Sequence, residues 1–129
     1  MPRTSQASPT PFDFRKCVSY DAERKRRFHT QARARLFELA TSLGLEGGAY
    51  DLRSNQGGIA VSGEVTLHGE HLYVQASQPA TGCDTGILFR SCEGRRDYGG
   101  RSGRNHFASL DLLHQPEELA RLIRRHVEP

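Results

Sequence analysis

A chain of 129 residues is the length of one domain. Its 36% of hydrophobic residues suffice for a single core, and its 26% of charged residues are ordinary for a globular protein. A formal net charge of +3 excludes a histone-like polycation and leaves only a mild bias toward an anionic partner.

Lysine occurs only at positions 16 and 25, so arginine carries nearly all the positive charge. Arginine forks around phosphate and carboxylate better than lysine does, although a GC-rich genome produces the same bias. Three cysteines, Cys17, Cys83 and Cys92, are an odd number. With no signal-like apolar run near the N-terminus, they point to reduced thiols and a cytoplasmic location. No stretch reaches the length of a membrane-spanning helix, so no membrane partner is expected.

Residues 1–12 are rich in Ser, Thr, Pro and Gln and read as a disordered tail. Residues 13–129 read as a single α+β domain without internal repeats. The main helix is expected over 21–45. Asp21 suits its N-cap, and Phe28, Ala32, Leu36, Leu39, Ala40 and Leu43 form one apolar face. Gly44, Gly47 and Gly48 supply the stop. Arg24, Lys25, Arg26 and Arg27 crowd the first turns, where the helix dipole disfavours cations. They are a candidate anion site, or else a solvated basic end.

A strand is expected over 49–55, followed by strict alternation through "GIAVSGEVTLHGEHLYVQAS", residues 58–77. Ile59, Val61, Val65 and Leu67 share one face of that strand. A two-residue turn at Gly69-Glu70 sets Leu67 opposite Leu72, Val65 opposite Val74, and His68 opposite His71. The other face carries Ser62, Glu64, Thr66, His68, His71, Tyr73 and Gln75, and is a candidate ligand surface or homodimer interface.

"GILFRSCE", 86–93, is a further strand, and "HFASLDL", 106–112, adds a short one or leads onward. A last helix opens at Gln115-Pro116-Glu117-Glu118, with Leu119, Leu122, Ile123 and Val127 as its buried stripe. The expected fold is thus α+β. An N-terminal amphipathic helix and a C-terminal helix lie on one face of an antiparallel sheet of four or five strands.

The segment "SCEGRRDYGGRSGRNHF", 91–107, is the strongest functional signal. Arg95, Arg96, Arg101 and Arg104 sit on a glycine-rich backbone, followed by Asn105 and His106. Such arginines can wrap a phosphate chain, and Tyr98 can stack on a base. No phosphate-binding glycine motif, nucleophile elbow or dinucleotide fingerprint is present. Cys83, Cys92 and His106 match no short zinc spacing, and His68 with His71 would supply only half a site, so neither metal nor cofactor is expected.

The phrases "YDLRSNQGGIAVSGEVTLH", "LYVQASQPATG" and "GILFRSCEGRRDYGGRSGRNHFASLDLL" resemble small uncharacterised proteins carried on proteobacterial plasmids and integrative elements. The resemblance spans residues 13–125. It implies an accessory role in the life of a mobile element and carries no catalytic residues across. Three readings of function follow. The first is an accessory protein binding nucleic acid or a nucleoprotein complex through the basic helix start and the arginine loop. The second is a protein-binding inhibitor or assembly module, and the third a small enzyme built on Cys83, His106 and Asp84 or Glu93.

Overall fold

A helix, five strands and a second helix follow one another in the computed structural model, which describes residues 11–80, 82–98 and 104–128. Helix α1 spans Ala22–Ser42. Asp21 caps it, its carboxylate accepting from the Arg24 amide at 3.0 Å. All six apolar residues expected on one face are buried. The helix ends three residues early, at Ser42, with Leu43 as its C-cap, and Gly44 takes the left-handed φ of 77° that stops it.

Strands β1 (Tyr50–Asn55), β2 (Glu64–Gly69), β3 (Leu72–Ser77), β4 (Ile87–Ser91) and β5 (His106–Ala108) form an antiparallel meander in that order. Single turns of 3-10 helix, Cys83–Thr85 and Leu110–His114, flank the last two strands. Helix α2, Pro116–Arg124, begins at its proline, with Glu117 and Glu118 in the first turn and Arg121 and Arg124 in the last. Helix α1 packs on β1 and β2, and α2 packs on α1. Val65, Leu67, Val74, Ala76, Ile87 and Phe89 from the sheet join Phe28, Leu36, Leu39, Leu119 and Ile123 in one core. Among the described residues, no helix is long and apolar enough to cross a membrane.

Three expectations need correction. The hairpin turns at Glu70-His71, one residue later than expected, so Leu67 faces Val74, Val65 faces Ala76, and His68 faces Tyr73 rather than His71. Gly69 does not take a positive φ. It stays in the ladder opposite Tyr50, where an added Cβ would meet the Ala49 carbonyl at 3.5 Å. Moving the turn by one residue slides the register by two, so the apolar faces survive the error.

The second correction concerns Ile59 and Val61, which lie in a loop before β2 and are 73% and 50% exposed. Gly63, with φ at 73°, makes the bend that ends this loop. A Cβ there would fall 2.2 Å from the Asn55 carbonyl oxygen. The third is the tail. Residues 1–10 lie outside the described residues, but Phe12 packs edge-on against Phe14 and its carbonyl meets His114 Nε2 at 2.7 Å. Phe12 therefore belongs to the domain.

Candidate functional site

Alternation along the sheet places three polar rows on the face turned away from the core. Asp51, His68, Tyr73 and Arg90 form the first, and Arg53, Thr66, Gln75, Leu88 and Phe107 the second. Asn55, Glu64 and Ser77 form the third. Glu64, Thr66, His68, Tyr73 and Gln75 lie on the face the sequence marked as a ligand surface, whereas Ser62 is buried in the loop before β2 and His71 sits in the turn; the face is not open throughout. Thr66 and His68 are buried, and residues 93–98 fold back over His68 in the first row.

His68 is the peg of that cover. Its Nδ1 lies 2.7 Å from Arg53 Nη2 and its Nε2 lies 2.9 Å from the Gly94 carbonyl oxygen. A guanidinium only donates, so Nδ1 accepts and Nε2 carries the proton. Burial pushes the imidazole pKa below its usual value, and the charges of Arg53 and Arg90 add to this against the opposing pull of the Gly94 carbonyl and Asp97. The Tyr98 ring stands edge-on to His68 at 5.2 Å, and the Arg53 guanidinium lies 5.3 Å from its centre. Even so, Tyr98 is 61% exposed.

Arg90 fixes the cover from below. It is buried, its guanidinium stacks 4.1 Å over Tyr73, and Nη2 donates to the Tyr98 carbonyl at 2.8 Å. Its Nη1 is buried with no hydrogen-bond partner among the described residues. Beside this cluster a cleft of about 240 Å³ opens, lined by Arg53, Ser54, Asn55, Glu64, Thr66, Tyr73 and Tyr98. Two larger hollows of about 670 and 570 Å³ lie along α1, the second between it and α2, and are lined in part by the Arg35–Glu38 and Arg121–Glu118 pairs.

Among the described residues, those singled out from the sequence have different surroundings. Lys25 is buried and donates to the Gly58 carbonyl at 2.5 Å, so it anchors the loop before β2 instead of facing solvent. Arg24 pairs with Asp21 at 3.9 Å, Arg26 with Glu23, and Arg27 lies over Phe12. Arg95 is likewise engaged. It pairs with Glu70 at 3.0 Å and Asp51 at 3.6 Å and donates to the Gly48 carbonyl. Lys25 is thus tied to the segment before β2 and Arg95 to the turn after it. About 20 Å of strand lie between these ends, so Lys25 and Arg95 share no patch.

Arg96, Arg104 and Asn105 are exposed, and neither arginine forms an ion pair among the described residues. Arg101 lies outside the described residues. His106 stacks on Phe89 at 5.2 Å and on His126 at 4.5 Å, where burial and the neighbouring charges of His126 and Arg104 push its pKa down. Sequence reasoning missed Arg53, Asn55 and Arg90 as parts of a site. The only signal for them is strand parity, which puts all three on the polar side.

The Cys–His arrangement of the third reading is not assembled. His106 pairs with Phe89, whereas Cys83 lies beyond the other end of that ladder, its thiol near the Phe14 and Arg15 carbonyls. Burial pushes the Cys83 thiol up, the opposite of what a nucleophile requires. Among the described residues, no three His, Cys, Asp or Glu side chains cluster as metal ligands. Comparison with protein-family models, curated proteins and solved structures finds no match for this chain.

Proposed function

We propose that this chain is a non-enzymatic accessory protein that binds single-stranded nucleic acid on the polar face of its sheet. The observation that carries this reading is Tyr98. Its ring is held by Arg53 and His68 at the rim of a polar cleft, yet 61% of the residue is left to solvent. A second aromatic, Phe107, is 53% exposed on the same face at the other edge of the sheet. Aromatic rings on an antiparallel sheet stack unpaired bases, while nearby arginines follow the backbone. Among the described residues of the arginine loop, Arg96 and Arg104 are exposed cations suited to that role.

The setting, an accessory task for a plasmid or integrative element, is proposed from the sequence resemblance alone, and its cytoplasmic location from the odd number of cysteines. Fluorescence anisotropy with a labelled mixed-sequence single strand tests the binding. Tyr98→Ala is expected to weaken it about tenfold or more, since each stacked base contributes roughly 1–3 kcal/mol. Unchanged affinity in that variant would defeat the reading.

A protein-binding module is the second reading, and a separate observation favours it. Tyr20, Ile59 and Val61 are all exposed and lie together at the start of α1, where the Tyr20 amide donates to the Ile59 carbonyl at 2.7 Å. Failure of both DNA and RNA strands to bind at low salt would leave this patch as the better guide.

A further inference from the structure

The cleft beside Tyr98 is smaller than the roughly 300 Å³ at which drug-sized sites begin, so at about 240 Å³ it has room for one ring system. Its chemistry is mixed in a specific way. Tyr98, Tyr73 and the Arg53 guanidinium supply flat surfaces, while Glu64 supplies a carboxylate at the other end. His68, against which Tyr98 rests, is four residues from Glu64 on β2, or about 13 Å of strand.

Glu64 makes no ion pair among the described residues, although it is half-buried and Arg53 lines the same cleft. Asn55 Nδ2 donates to its Oε1 at 3.2 Å, and Asn55 is itself held by the Gly57 amide at 3.1 Å. The carboxylate is therefore positioned but short of donors. An ionised carboxylate only accepts, so it repels a phosphate and calls for N–H groups.

We propose that this cleft is a guanine subsite, with Glu64 accepting from the base. The proposal rests on the nucleic-acid reading and sharpens it. Among the common bases, only guanine offers two adjacent donors, N1–H and the N2 amino group, on its pairing edge. Adenine and cytosine each place an acceptor beside their amino group, and uracil and thymine flank one N–H with two carbonyls. A carboxylate takes both guanine donors at once, the Thr66 hydroxyl and the second Asn55 N–H are at hand for O6, and Tyr98 supplies the stacking face. Phosphates stay outside, toward Arg96 and Arg104.

The test uses thymidine strands carrying one central guanine, hypoxanthine or adenine. Hypoxanthine is guanine without the N2 amino group. The parent protein is expected to prefer guanine over the other two by about tenfold, the scale of one good bidentate contact. Glu64→Gln is expected to reduce that preference below about twofold, leave the adenine strand's affinity unchanged, and leave the melting temperature unchanged. Equal binding of all three strands, or a guanine preference that survives Glu64→Gln, overturns the subsite while the nucleic-acid reading stands. GMP is the second probe. If it binds with the same dependence on Glu64 while no strand binds, the subsite stands and its ligand is a free nucleotide. If neither GMP nor any strand binds, the subsite falls together with the reading beneath it.

Discussion

At His68 two neighbours fix one protonation state. Nδ1 accepts from Arg53 and Nε2 donates to Gly94, so the clamp over the sheet requires a neutral ring. The folded-state pKa is lowered, chiefly by burial, with Arg53 and Arg90 adding to it. The unfolded imidazole titrates near the ordinary value of about 6.5. Above that pH both states are neutral and the clamp contributes fully. Below it, the unfolded chain takes a proton that the folded chain resists, and stability falls as pH drops toward the folded pKa. Urea midpoints measured from pH 7 to pH 5 are therefore expected to fall in the parent and to fall less in His68→Gln. Equal slopes would mean that the ring titrates alike in both states. The alternation pattern placed His68 on the polar face, but nothing in the sequence revealed that residues 93–98 would bury it. That burial depends on a fold-back made through Gly94 and Tyr98, whose partners lie on other strands.

Among the elements, the start of α1 separates two basic residues that the sequence grouped together. Lys25 holds the Gly58 carbonyl from a buried position, whereas Arg26 pairs with Glu23 at an exposed one. Removing a hydrogen bond to a buried charged group costs about 1.5–3 kcal/mol, so Lys25→Ala should destabilise by that amount in chemical denaturation. Arg26→Ala should stay within about 0.5 kcal/mol. If the two variants lose the same stability, Lys25 is not the anchor described here. Periodicity made α1, its apolar face and the Asp21 cap legible, but not its end at Ser42 or the burial of Lys25 and His29. The hairpin was legible in its faces but not in its turn. Gly69 suits a tight turn on local grounds, yet pairing with β1 and close approach to Ala49 keep it in the strand. Such contacts from a third strand are invisible to a two-strand argument. Likewise, alternation through Ile59 and Val61 looked like strand, whereas Gly63 bends the chain and leaves both outside the sheet.

Over the whole molecule, the core and the candidate site occupy opposite faces of one sheet. Chain parity alone separates Leu67, Val74 and Phe89 from Thr66, Tyr73 and Arg90. The sequence exposed this division and named Tyr98, but it overvalued clusters of adjacent charge. Arg24 to Arg27 point in several directions around a helix, and Arg95 is consumed by Glu70, Asp51 and Gly48. Arg53, Asn55 and Glu64 are brought together only by strand pairing. Amide chemical-shift mapping during titration with a short single strand tests this arrangement most directly. Shifts should concentrate at Arg53, Thr66, Tyr73, Tyr98 and Phe107 and weaken as salt rises, because phosphate contacts release counterions. Shifts confined to Tyr20, Ile59, Val61 and the start of α1, or no shifts at low salt, would contradict a ligand surface on the polar face of the sheet.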